Sequence, residues 1–302
     1  MSSTLPPPRE NQTFFTVSAL EAGILSFPRD LFLAGTPSHI PERWDAPALC
    51  FLLRHSATGE YILFDNGIRK DVHRLPPAAQ RRVDIFGSFV IVHDAAERVA
   101  SGGLDPARVS QLVISHAHWD HIGDLSRFPH ARIVVSSGTY ELSRSGYPAD
   151  PKSPFAQDLF SPERTRVLDP FDGTWAALGP FDRALDLLGD GSAYVVDAPG
   201  HVRGHINLLV RTSADGAWAV LAGDAAHDWQ LLTGAATIAV HPAHGCVHVD
   251  RELAEAYIEI LRALALAPDS RVRVLLAHNA QMWEDARAND WEGFWPKTIT
   301  SL

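Results

Sequence analysis

The chain has little cysteine, no long apolar run and no excess of positive charge, and each lack narrows what it can be. Its two cysteines, Cys50 and Cys246, form no close pair. They offer neither a disulfide framework nor a cysteine-rich zinc module. No apolar stretch approaches the ~20 residues of a membrane span. The N-terminal stretch Met1-Ser2-Ser3-Thr4-Leu5-Pro6-Pro7-Pro8-Arg9 carries no apolar segment of the kind a secretory signal needs. The expectation is a soluble, cytoplasmic protein with no membrane partner. A formal net charge of −10 argues against a nucleic-acid groove.

What is present is enough for a large core: 302 residues, 46% of them hydrophobic. There are also 15 histidines, of which only some can be ligands. The densest group is in Val113-Ile114-Ser115-His116-Ala117-His118-Trp119-Asp120-His121-Ile122-Gly123-Asp124. Leu112 to Ile114 reads as a short buried strand. On extended chain His116 and His118 point the same way. Asp120 and His121 follow where Gly123 implies a turn, so they are free to point elsewhere. Two imidazoles thrown one way, and a carboxylate and an imidazole another, suit two metal ions side by side.

Each ion needs three or four ligands drawn from His, Asp, Glu or Cys. Further candidates stand just past later apolar strands. His201 follows Asp197-Ala198-Pro199-Gly200, Asp224 follows Ala219-Val220-Leu221-Ala222-Gly223, and His278 follows Val272-Arg273-Val274-Leu275-Leu276-Ala277. Loops at strand ends on a rigid scaffold are where sites are usually built.

His-x-His-x-Asp-His, then Pro-Gly-His, Gly-Asp and a late strand-terminal His resembles the ligand series of the metallo-β-lactamase superfamily. The likeness runs from about Pro47 to Asn279. It implies an α+β fold, the four-layer αββα sandwich. It also implies two Zn2+ ions, or other divalent metals: His116, His118 and His201 on the first, Asp120, His121 and His278 on the second, and Asp224 bridging. Two divalent ions, two carboxylates and a bridging hydroxide leave such a site slightly positive, suited to an oxyanion. Asp65, in an Asp-Asn-Gly turn where the family has Asp-Thr-Gly, is expected to hold a ligand histidine by its other ring nitrogen. Asp120 is the candidate catalytic proton carrier. His205 is read as a residue packed behind the ligands. Tyr194 and Tyr257 are phenols that sequence does not place.

Relatives within the superfamily separate on single residues. A flavodiiron oxidoreductase has Glu where His118 stands, and secreted class B β-lactamases carry Cys where Asp224 stands. Mononuclear iron persulfide dioxygenases lack part of the second metal set. The basic C-terminal helices of a glyoxalase II-type thiolesterase are not evident after Leu276. The lactonase-like branch, resembling acyl-homoserine lactonases, remains. The expected reaction is the opening of a cyclic ester by attack of a metal-bridging hydroxide on the carbonyl. Hydrolysis of a cyclic amide, such as an aromatic defence compound, or of a thioester is the alternative.

The chain reads as an N-terminal arm, 1–12, disordered or loosely docked, and one domain, 13–302. Thr13–Ala19 reads as a first strand and 24–39 as loop. Insertions near 68–91 and 225–248 carry Ile85, Phe86, Phe89, Trp229, Leu231 and Leu232, read as walls of a pocket for a small molecule with an apolar part. His241, His244 and His248 are read as solvated or hydrogen-bonded rather than as a third metal site. A helix is expected from Asp250 to Leu266, with Leu253, Tyr257, Ile260, Leu261 and Leu264 on its apolar face. A homodimer is compatible with this reading.

Overall fold

Consecutive residues of the strand that ends at His55 bury against different partners. Phe51 and Leu53 face one apolar cluster, Cys50 and Leu52 another. Alternate side chains of a strand point to opposite faces, so a sheet covered on both faces needs strands that are apolar without alternation. The computed structural model describes residues 4–35, 42–86, 89–268 and 270–302, the side chain of Phe86 excepted.

The first sheet contains β1 (Phe15–Pro28), β2 (Arg43–His55), β3 (Tyr61–Phe64), β4 (Val109–Val113), β5 (Arg132–Ser136) and β6 (Thr165–Leu168), with Phe89–Val90 on the outer edge of β1. The second contains β7 (Ala176–Leu178), β8 (Phe181–Asp186), β9 (Ala193–Asp197), β10 (Ile206–Arg211), β11 (Trp218–Leu221) and β12 (Val272–Leu275). Strands β1 to β3 pair antiparallel and β3 to β6 parallel. In the second sheet only β11 and β12 run parallel.

Between the sheets lie Phe15, Phe51, Phe64, Val113 and Val134 from the first and Val195, Leu208, Val210 and Leu221 from the second. Helix α1 (Pro77–Phe86) packs beside β1. Helix α2 (Ala95–Ser101) covers the outer face of the first sheet through Ala95, Ala96 and Val99, and a capping box between Asp94 and Glu97 starts it. A single turn, α3 (Trp119–Ile122), follows β4, and α4 (Ser137–Arg144) follows β5. On the far side, α5 (Trp229–Thr233) and α6 (Arg251–Leu266) cover the second sheet, and α7 (Ala280–Ala288) packs beside β2 with Trp283 and Ala286 in the cluster between the sheets. Helix, sheet, sheet, helix is the expected four-layer sandwich.

Three expectations change. The first strand does not stop at Ala19. A bulge between Glu21 and Ile24, eased by Gly23 at φ +126°, lets it run on to Pro28, and a helical turn at Arg29–Phe32 follows. Part of the span read as loop, 36–39, lies outside the described residues. The arm is held: the buried Arg211 donates to the carbonyls of Pro6 (3.0 Å) and Pro7 (2.8 Å), its guanidinium 4.0 Å from the Trp218 ring centroid. Leu253 is off the apolar face of α6, which buries Ala254, Tyr257, Ile258, Leu261 and Leu264.

Candidate metal centre

Strand β4 delivers the first group. Ser115 N–H donates to Asp65 Oδ1 at 2.7 Å, fixing the chain just past the strand end. His116 and His118 then converge, Nε2 to Nδ1 at 2.9 Å. His118 caps α3, whose single turn carries Asp120 and His121 to the other side. His201 comes from the loop between β9 and β10, Asp224 from the end of β11 and His278 from the end of β12. Gly223 has φ +48°, and a Cβ there would lie 2.9 Å from His205 Nε2 and 3.1 Å from Ser115 Cβ. Glycine therefore lets the Asp224 loop close onto the first sheet. Two cross-sheet hydrogen bonds hold this edge: Ile206 N–H to Ser115 O (3.0 Å) and Leu49 N–H to Ala277 O (2.9 Å).

Asp224 divides the cluster in two. Its Oδ2 lies 3.4 Å from His201 Nε2 and 3.8 Å from His116 Nε2, and His201 Nε2 is 3.0 Å from His118 Nδ1. Its Oδ1 lies 3.2 Å from both His121 Nε2 and His278 Nε2. Asp120 Oδ2 stands 3.6 Å from His278 Nε2 and 3.9 Å from His121 Nε2. The sequence candidates thus form two sets, His116, His118, His201 with Asp224, and Asp120, His121, His278. Within each set the possible ligand atoms lie within 4.8 Å of one another.

The surroundings suit cations. Ligand imidazoles usually engage their second nitrogen elsewhere. His116 Nδ1 meets Ser115 Oγ (2.9 Å), His121 Nδ1 meets Asp65 Oδ2 (2.9 Å) and His278 Nδ1 meets the Pro47 carbonyl (2.9 Å). The inward atoms His121 Nε2, His278 Nε2 and Asp224 Oδ1 are buried with no aligned hydrogen-bond partner. Burial holds His116 and His201 well below the usual imidazole range and His118 at about 3. Burial alone would lower His121 too, but Asp224, Asp65 and Asp120 outweigh it and push it well up, and His278 is raised against burial chiefly by Asp224. The carboxylates draw positive charge into the site, and divalent ions would meet that demand with the imidazoles neutral.

The remaining candidates scatter. His205 is buried, its Nδ1 against the Ala198 carbonyl and its Nε2 accepting from Asp224 N–H. Tyr257 is buried and accepts from Asn207, and Tyr194 packs near Trp218. A cavity of about 920 Å³ is lined by Trp229, Gln230, His278, Asn279 and Met282, among others. Of the pocket-wall candidates only Trp229 lines it. Ile85 and Phe89 are half-buried, with Phe89 edge-on to Trp119 at 6.2 Å. Leu231 and Leu232 are core residues, and the Phe86 side chain lies outside the described residues. His241 and His244 stack on each other, whereas His248 is buried against His201.

Sequence reasoning missed His227, whose Nε2 is 3.2 Å from Asp224 Oδ2. It also missed Phe27 and Phe32, which pack on His278 and His227 at 4.8 and 4.9 Å. The position three residues after Asp224 was the available signal for His227, since it returns to the same side of a turn.

Residues 43–278 match the family model described as the metallo-beta-lactamase superfamily. The chain belongs to that superfamily. Within it, the gamma-lactamase FDB1 of Fusarium pseudograminearum (strain CS3096) is 32% identical over 62% of this chain and 46% of its own. The N-acyl homoserine lactonase AttM of Rhizobium radiobacter is 34% identical over 56% of this chain and 61% of its own. The chain spans half or less of the length of several curated relatives. Among solved structures, a mutant of B. thuringiensis AiiA with N-decanoyl-L-homoserine at its active site aligns at TM-score 0.68. That alignment covers 95% of this chain and all of the other, and at 17% identity it is a likeness of fold.

Proposed function

We propose that this superfamily member is a dinuclear metal-dependent hydrolase that opens a cyclic ester. The observation that carries the reading is Asp224, whose two oxygens face two separate imidazole sets. His116, His118 and His201 would hold one ion, Asp120, His121 and His278 the other, with Asp224 between them and zinc the expected metal. When bound, paired divalent ions supply Lewis acidity towards a carbonyl oxygen and make water a nucleophile near neutral pH.

The chain's own residues do the positioning. Ser115, Asp65 and the Pro47 carbonyl fix the three rings they touch, so the ligand set is organised before an ion arrives. Asp120, turned inward by α3 and making its close approaches to one set only, is the group that carries a proton to the leaving atom. Trp229, which lines the same cavity as His278, would receive the apolar part of the substrate.

The similarity to a gamma-lactamase favours a second reading, a cyclic amide. The two differ in the leaving atom: an amide nitrogen needs protonation and an alkoxide needs it less. A site able to open a lactam therefore opens the matching lactone more readily, which makes the ester the inclusive reading. Assay of zinc-loaded protein on a lactone, its matching lactam and a thioester tests this. Lactone turnover, lost on chelation and restored by zinc, is expected; zinc-loaded protein that opens neither ring would sink the reading.

A further inference from the structure

Three histidines pack into a triangle that the superfamily's ligand series does not account for. His201, His227 and His248 are all buried, and their ring centroids are 5.0 Å (201 to 227), 5.1 Å (201 to 248) and 5.0 Å (227 to 248) apart. One nitrogen from each lies within 4.8 Å of the other two. Two of the three residues come from the segment 225–248, which the ligand series does not use.

The polar atoms of this triangle are unsatisfied. His201 Nδ1, His227 Nδ1 and both nitrogens of His248 are buried with no hydrogen-bond partner. Each such atom gives up its hydration with nothing in return when left unpaired, so four on three adjacent rings mark a position suited to a further group. The contrast with His116, His121 and His278, whose Nδ1 atoms are all engaged, is direct.

We propose that His201, His227 and His248 form a third divalent-metal position, joined to the first through the two nitrogens of the His201 ring, which gives up its N–H proton to solvent and bridges as imidazolate when both ions are bound. His201 Nε2 already faces His118 and Asp224, which leaves Nδ1 for the second role. A cation fits better than an anion because Asp224 Oδ2 stands 3.2 Å from His227 Nε2 and would repel negative charge. Imidazole is a ligand that suits zinc, copper, iron and nickel alike. The position has no carboxylate of its own and shares Asp224 with two other ions, so mutual repulsion makes it the weakest of the three and the last to fill.

Equilibrium dialysis against zinc alone, carried to its plateau, tests this on the full chain. The wild type should bind one equivalent more than His248→Ala. His248→Gln, which keeps most of the side chain's bulk, guards against a folding defect, and circular dichroism verifies the fold of each variant. His241→Ala/His244→Ala, which removes the stacked pair, should keep the wild-type plateau. Equal plateaus for the wild type and both His248 variants would overturn the proposal, as would loss of the extra equivalent in the His241/His244 variant. Failure of the dinuclear reading looks different: the His248 variants would then hold one equivalent or none, instead of two.

Discussion

Asp224 offers one oxygen to His121 and His278 at 3.2 Å and the other to His201 at 3.4 Å, whereas Asp120 approaches only His121 and His278. That difference assigns different consequences to the same conservative change. Asp224→Asn replaces one anionic oxygen by an N–H donor that no cation accepts, so one of the two sets loses its ligand. Metal content should fall by at least one equivalent relative to the wild type by elemental analysis. Asp120→Asn leaves an amide oxygen for its set but removes the acid. Metal should be retained while kcat falls about 10²-fold or more. Unchanged kcat in metal-replete Asp120→Asn would remove the proton-carrier role. At this scale the convergence of the seven candidates was legible because each follows an apolar strand at a fixed motif spacing. His227 has no such motif, and His248 was grouped with His241 and His244 by spacing alone. The turn closed by the His241–Gly245 bridge instead stacks those two on each other.

The two apolar insertions separate into different physical roles once their elements are seen. In α5, Leu231 and Leu232 are buried, and Arg262 from α6 donates to both their carbonyls, Nη2 to Leu231 at 2.8 Å and Nε to Leu232 at 2.6 Å. Leu231→Ala should therefore cost about 2–5 kcal/mol of stability and leave KM unchanged. Trp229 begins the same helix but is half-buried on the cavity wall near His278. Trp229→Ala should raise KM for a long-chain or aromatic lactone and move the melting temperature little. Denaturant titration with two-substrate kinetics separates these outcomes, and equal KM losses for short and long substrates would deny Trp229 its role. The sequence could not make this distinction, because a short apolar run looks the same against a core or a cavity. The same limit cut β1 short. The span from Ile24 read as loop because Pro28, Gly35 and Pro37 interrupt it, yet the strand bulges between Glu21 and Ile24 and runs on to Pro28. The extension carries Phe27 to His278.

Neither sheet holds the centre alone. His116, His118, Asp120 and His121 follow a strand of the first, while His201, Asp224 and His278 stand at strand ends of the second. The αββα order was legible through the resemblance that the motif series carries, with strand-rich halves and interspersed helices compatible with it. A consequence follows for the whole molecule. An ion bound by residues of both sheets exists only when the sheets are docked, so it binds the folded chain and not the unfolded one. Each ion at a free concentration 100 times its Kd adds about 2.7 kcal/mol. Two such ions, at roughly 2 °C per kcal/mol for a chain of this size, correspond to a drop of about 10 °C in Tm on chelation. Differential scanning calorimetry of zinc-loaded protein before and after EDTA, then after zinc is restored, measures it. The loss should be reversible and should appear as a shift of one transition, since both sheets share the ions. An unchanged Tm in protein shown to have lost its metal would mean that the interleaved apolar side chains alone set the docking of the sheets, and that the ions serve chemistry without holding the fold.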